Sequence, residues 1–305
     1  MTRTIFYEIK IEYEDRKISE FLKEHFYSSK FLTKLRHTEN TIRLNGEFVY
    51  MNTRLKADDT LEIIYTEDPE PSSIVPVKLD FEIVYEDEDI LVINKPYNMP
   101  VHPSINNYEN TLANAIAYYF ESKNQKFTFR CINRLDKDTT GLLIVAKHQL
   151  SAAVLSYFMK NRMIKREYLA IASGIFENKS GTINEKIGRK NNSLIERCID
   201  NENGETAVTH YEVIQEISLD NLYNDSLKYA SLLRVHLDTG RTHQIRVHMK
   251  HLGHPLLGDR LYNEIPDDFE RQALHSYSLS FKHPITLEEM YFKQDMPFHK
   301  KIFSI

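Results

Sequence analysis

Apolar residues recur at helical spacing in "ISEFLKEHF", where Ile18, Phe21, Leu22 and Phe26 share one face. "SKFLTKLRH" follows as a second short helix, with Ser28 or Ser29 as its N-cap. The pattern then changes. "TIRLNGEFVYM" reads as two β-rich runs joined by Asn45-Gly46, a dipeptide suited to a two-residue hairpin turn. "DTLEIIY" closes the unit as a strand. Residues 1–66 thus form a small α/β unit. The Pro/Ser/acid-rich stretch "TEDPEPSSIVPVK" marks a linker, 67–78, expected to carry few contacts of its own.

From residue 79 to 305 strands dominate. "FEIVYED", "DILVINKP", "GLLIVAK", "EYLAIAS", "AVTHYEVIQEI" and "YASLLRVHLDT" read as strands, and "TLANAIAYYFESK" and "QLSAAVLSYFMKN" as helices. The runs do not alternate as βαβ units, so the expected class is α+β rather than a doubly wound parallel sheet.

Composition narrows the class without naming a function. The chain has 305 residues, 41% of them hydrophobic and 27% charged, enough for one large domain or two smaller ones. No apolar run approaches the roughly 18 residues of a membrane span, and "MTRTIFYEIKIEYEDRK" lacks the apolar core of a signal peptide. Cys131 and Cys198 make neither a disulfide framework nor a zinc knuckle, so a reducing, cytoplasmic setting is expected. Monomer is the default. A net charge of -5 means that any nucleic acid must be held by local patches. One such patch is Lys30, Lys34, Arg36 and Arg43, set against the single Glu39.

Two stretches carry candidate chemistry. In "INRLDKDTTGLLIVAK" polar residues lead into an almost wholly apolar strand, so they sit at its mouth. Arg134 and Asp136 fall on the same side of an extended segment. Taken alone, the pattern reads as a solvated turn with an ordinary salt bridge. In "LRVHLDTGRTHQIRVHMKHLGHPLLGD" a helix is expected after Gly240, capped by Thr242 and ended by Gly253 and Pro255. His243, Arg246, Val247 and Lys250 share a basic flank, and Ile245, His248, Met249 and Leu252 an apolar stripe.

That helix weighs against two readings of the second stretch. An aspartic protease needs two Asp-Thr/Ser-Gly loops, and a neighbouring arginine would keep the carboxylate charged where a dyad must share a proton. A metal cluster would need its histidines in register, but His243 and His248 are five apart and no His-Glu-x-x-His pattern occurs.

Together the two stretches resemble the signature motifs of the RluA-type pseudouridine synthases. "NKPYNMPVHPS…TLANAI", "KREYLAIASG" and "LHSYSLSFKHP" match in order, so the resemblance covers roughly residues 80–295. The N-terminal unit is similar to the small RNA-binding module named after ribosomal protein S-four, although Asp58 stands where a Gly is usual. Asn133 replaces the usual His before Arg134-Leu135-Asp136, which bears on the bases flanking a target. Thr140 replaces a Ser, and "PYNMP" lacks the common glycine.

The resemblance implies a mixed, largely antiparallel catalytic sheet and an enzyme that isomerises uridine in structured RNA to its carbon-linked form. No redox change occurs and no water is consumed, so no cofactor or metal is expected. Asp136 is implied as the nucleophile, attacking either the ribose or the uracil ring. Arg246 is implied as its charge partner, offsetting desolvation through a planar two-pronged contact. Tyr168 is implied over the flipped-out base, where it stacks and relays a proton. Without the family, a core strand tyrosine is the plainer reading. Arg134 is implied near the space the base vacates, and Ile245 as an apolar wall under it. Arg241 and His243 join the RNA contacts, and Lys95, His102 and His275 are weaker candidates for phosphate or structural contacts. Ribosomal RNA is the expected target, with transfer RNA as the alternative. The rival from another class is an RNA-binding or ribosome-assembly factor without catalysis, against which the intact Asp136, Tyr168 and Arg246 set argues.

Overall fold

Strand β1 (Thr2–Glu8) opens the chain, followed by helices α1 (Ile18–Glu24) and α2 (Ser29–His37) and strands β2 (Ile42–Leu44), β3 (Glu47–Phe48) and β4 (Thr60–Thr66). The structure is a computed structural model and describes residues 2–67, 73–219, 227–267 and 269–297. Ser28 caps α2 by accepting from the Phe31 N–H at 3.2 Å. Asn45 and Gly46, both at positive φ, make the β2–β3 turn. Strand β1 is not apparent from the sequence pattern: its outward Thr2, Thr4 and Phe6 obscure an apolar face that pairs in full with β4, in a sheet of order β1-β4-β2-β3.

The larger sheet follows. The elements from here on are β5 (Glu82–Glu86), β6 (Ile90–Lys95), α3 (Leu112–Ser122), β7 (Thr140–Ala146), α4 (Gln149–Lys160), β8 (Lys165–Ser173), β9 (Ser180–Asn184), β10 (Ile187–Arg189), β11 (Arg197–Ile199), β12 (Val208–Ser218), β13 (Tyr229–Leu237), α5 (Gln244–His251), β14 (Leu274–Lys282) and β15 (Glu289–Lys293), with β10 and β11 paired in a separate two-stranded sheet. The path runs β5-β6-β7-β14-β8-β13-β12-β9, with β15 on β14. Among the described residues only β7 and β14 pair in parallel, so the expected α+β class and largely antiparallel sheet hold. The β7–β14 junction needs Gly141: at φ +106° it lies so close to Ser276 that a Cβ would meet the carbonyl oxygen at 2.3 Å.

The small unit is not loosely attached. Phe21, Leu22, Phe31 and Ile63 share one continuous core with Ile90, Val92, Ile144 and Phe158 of the large sheet and α4. The Phe26 and Phe158 rings meet edge-on at 4.9 Å. Arg3 grips the buried Asp89 with two N–H groups at 2.9 and 3.0 Å, and Glu67 pairs with Arg130. Residues 68–72 of the expected linker lie outside the described residues. Its second half does carry contacts: Asn114 donates to the Val75 carbonyl at 2.7 Å and accepts from the Val77 N–H at 3.2 Å through its own carbonyl. The expectation of a contact-poor linker between separable units therefore fails, because the apolar faces of both units are buried against each other.

Candidate active site

Asp136 sits on the loop that enters β7, and several bonds fix that loop. The Lys95 ammonium, fully buried at the end of β6, donates to the carbonyls of Pro96, Met99 and Lys137 at 2.7–2.9 Å. Burial pulls Lys95 down to about 7, with Asp138 and Asp136 pushing back. Gln272 donates to Thr139 Oγ1 at 2.7 Å, and Thr140 Oγ1 pairs with His275 Nδ1 at 2.8 Å. Lys95 and His275 are thus structural rather than phosphate ligands. Asn133 is buried too: its amide oxygen accepts from the Ile144 N–H at 2.9 Å and its nitrogen donates to the Leu142 carbonyl. That commits the amide to β7, contrary to the expectation that it tunes bases beside a target.

Across the cleft stands α5. Thr242 does not cap it. His243 takes the N-cap position at φ +58° without a side-chain cap bond, and the turn before it is held by the buried Gln244. Gln244 accepts from Thr239 Oγ1 and the Arg241 N–H, and donates to the Val208 carbonyl and Thr209 on β12. The expected basic flank is not a surface either. Arg246 and Val247 are buried, while Lys250 is exposed and faces Glu264. The histidines of this stretch do not converge: His248 pairs with Thr209 and the Glu185 carbonyl, and His254 with the Ser173 carbonyl. Among the described residues the one grouping of metal-ligand type is Asp87, Asp89 and His283, beside the N-terminal unit, where Asp89 is already engaged by Arg3 and His148.

The floor of the cleft joins the two halves. Arg246 Nη1 donates to Asp136 Oδ2 at 3.1 Å. The two-pronged contact goes elsewhere: Nε and Nη2 donate to the two oxygens of Asp259 at 2.7 and 2.8 Å. Asp259 has a fully buried carboxylate that also accepts from the Leu261 and Tyr262 N–H groups. Burial opposes the Arg246 charge, but the bonds to Asp259 and the fields of both carboxylates outweigh it and raise its pKa. The Tyr262 ring lies under the guanidinium at 4.9 Å. Neither Asp259 nor Tyr262 stands out in the sequence; the only available signal is an acid closing the apolar run "HPLLGD".

The cleft encloses about 540 Å³. Asp136, Tyr168, Arg246, Arg134, Ile245, Arg241 and His243 all line it, joined by His102 and Arg166. Arg134 is exposed and Leu135 buried, so the alternation that puts Arg134 and Asp136 on one side is present. Tyr168 on β8 is buried, which pushes its hydroxyl pKa up. Arg241 is drawn onto the Thr206 carbonyl at 3.0 Å and onto Glu205. Lys30, Lys34, Arg36 and Arg43 lie on the N-terminal unit and do not line the cleft. A carboxylate at the bottom of such a cleft, hydrogen-bonded to a buried arginine and flanked by a tyrosine, suits attack on an electrophilic carbon of a flat ligand.

The RNA pseudouridylate synthase family model matches residues 89–251. The chain is 37% identical to the Bacillus subtilis (strain 168) protein named uncharacterized RNA pseudouridine synthase YjbO, over 92% of this chain and 95% of that one. It is 35% identical to ribosomal large subunit pseudouridine synthase D of Pasteurella multocida (strain Pm70), over 96% of this chain and 92% of that one. Among solved structures, human RNA pseudouridylate synthase domain containing 1 superposes with a TM-score of 0.60 at 28% identity, covering 77% of this chain and 90% of that one.

Proposed function

The chain belongs to the RNA pseudouridylate synthase family and isomerises uridine in RNA, and from that premise we propose that its target lies in ribosomal RNA. The 35% identity over nearly the whole chain to a protein named for the large ribosomal subunit supports this choice. The single observation that carries the site assignment is the 3.1 Å bond between Arg246 and Asp136 on the cleft floor.

Asp136 is the nucleophile. Arg246 donates to it through Nη1 at 3.1 Å, a charge-assisted bond that fixes the carboxylate on the cleft floor. The target base leaves its stack and enters beside Tyr168, whose ring stacks on it and whose hydroxyl relays a proton. Ile245 forms the apolar wall, and Arg134, exposed at the rim, enters the space the base leaves. His243 and Arg241 lie at the RNA side of the cleft. Lys30, Lys34, Arg36 and Arg43, which have no ion pair among the described residues, contact phosphates further along the RNA from the N-terminal unit. The setting is the cytoplasm.

Pseudouridine has the mass of uridine, so the test maps carbodiimide-dependent reverse-transcription stops in parent and deletion strains. A stop in ribosomal RNA that disappears on deletion and is restored by the wild-type gene is expected. Loss of stops only in transfer RNA would overturn the target assignment.

A further inference from the structure

We infer that Tyr262 is a positioning residue that sets the tautomer of His243 and so turns an N–H toward Asp136. The inference rests on the uridine-isomerase reading of the cleft. The Tyr262 hydroxyl oxygen accepts the Arg197 backbone N–H at 2.8 Å and lies 2.8 Å from His243 Nδ1. A phenol carries one proton. Among the described residues the only acceptor within reach of it is Nδ1, so the hydroxyl donates there. Burial pushes the Tyr262 hydroxyl up to about 12, which keeps that proton in place at working pH. Burial also pulls His243 below its ordinary value, with Asp136 pushing back, so the ring is neutral. A neutral imidazole that accepts at Nδ1 must carry its hydrogen on Nε2.

That hydrogen faces the Asp136 carboxylate, with Arg246, Asp259 and Arg197 also acting on the ring. Nε2 is 3.9 Å from Asp136 Oδ2, the same oxygen that Arg246 Nη1 touches at 3.1 Å. A small shift of the carboxylate toward α5 completes the second bond. Both donors therefore converge on Oδ2, while Oδ1 makes no hydrogen bond among the described residues and is left for the substrate. Tyr262 serves both arms. Its hydroxyl orients His243, whose ring stands edge-on to it at 5.6 Å, and its face supports Arg246 at 4.9 Å. The opposite tautomer would put a lone pair against a carboxylate, which repels.

The test separates tautomer from turnover. Full-length protein labelled with nitrogen-15 histidine is read by two-bond nitrogen–proton correlation, with the His243 signal assigned by its loss in His243→Gln. The wild type should show protonated Nε2 and bare Nδ1. Tyr262→Phe keeps the ring under Arg246 and removes the proton donor. It should mix or invert the tautomer and slow single-turnover pseudouridine formation about tenfold or more, with RNA affinity unchanged within about twofold. A wild-type His243 protonated at Nδ1 overturns the inference without any variant or substrate. So does a Tyr262→Phe spectrum identical to wild type, or a shifted tautomer with an unchanged rate. Wild-type protein that forms no pseudouridine would instead sink the uridine-isomerase reading, and the spectrum still decides the tautomer.

Discussion

Arg246 presents its two-pronged edge to Asp259 and only a single N–H to Asp136. The buried Asp259 balances the arginine whether or not Asp136 is occupied in chemistry. This changes what a substitution at Arg246 tests. A lysine has no planar fork and can satisfy one carboxylate well, not two. Arg246→Lys should bind RNA as wild type does, lose at least about tenfold in single-turnover rate, and melt earlier. Asp259→Ala should cost about 3–5 kcal/mol of stability, because it leaves a buried guanidinium half-paired. Denaturant unfolding and single-turnover assays read both effects. An Asp259→Ala protein as stable as wild type would show that the buried pair contributes nothing net.

Asp136→Asn should behave differently. Asp136 is about a quarter exposed, at 26%, and its partner keeps Asp259. Folding and RNA affinity should therefore survive while isomerisation disappears, since an amide is neutral and a poor nucleophile. Retention of even about a tenth of wild-type turnover would remove Asp136 from the role of nucleophile.

How far the sequence discloses this site depends on distance and burial. Strands β6 and β7 are apolar runs bounded by polar ends, so their existence is plain from pattern. Strand β1 has one face on the core and the other turned outward, and β10 and β11 are three residues each, too short for a period to emerge. Asp136 and Arg246 are 110 positions apart, and only the family resemblance joins them. Asp259 could not be found by pattern, because an acid after an apolar run is ordinarily solvated. It becomes a buried counter-charge because the chain turns back at Gly258, supplies two backbone N–H groups to the carboxylate and brings it under α5. The expected basic flank failed for the same reason. Helical spacing puts Arg246 and Lys250 on one side but does not say that β10, β11 and Tyr262 cover part of it.

Acid should loosen the molecule through His275. Burial pulls this imidazole down to about 4 in the folded chain, against about 6.5 when unfolded. The unfolded state therefore takes up the proton first as pH falls. The contribution to stability is complete above about 6.5, declines progressively down to about 4, and amounts to about 3 kcal/mol. Groups that act on the ring include Arg271, which lowers its pKa further, and Asp295, which raises it. Because Thr140 Oγ1 bonds to His275 Nδ1 at the entrance to β7, the loop carrying Asp136 should loosen as well. Chemical denaturation across pH 4–7 should show a shallower slope for His275→Gln than for wild type. Parallel curves would assign the acid sensitivity to other groups.

The N-terminal basic patch calls for substitution rather than truncation. Removing residues 1–66 would bare Ile90, Val92, Ile144 and Phe158 to water and leave Asp89 without Arg3. Loss of activity in such a fragment would report unfolding, not RNA binding. Lys30, Lys34 and Arg36 are exposed and Arg43 is partly so, and none belongs to the shared core. Replacing all four by Gln should leave the melting temperature nearly unchanged. Each phosphate that the protein no longer neutralises lowers the log–log salt slope of RNA binding by about 0.7–0.9, so the slope should fall by up to about 3. Turnover at saturating RNA should persist, since Asp136, Tyr168 and Arg246 lie in the cleft that none of the four lines. An unchanged slope would make the patch an ordinary solvated face. A slope reduced together with a slow single-turnover step would mean that the N-terminal unit also aligns the RNA over Asp136.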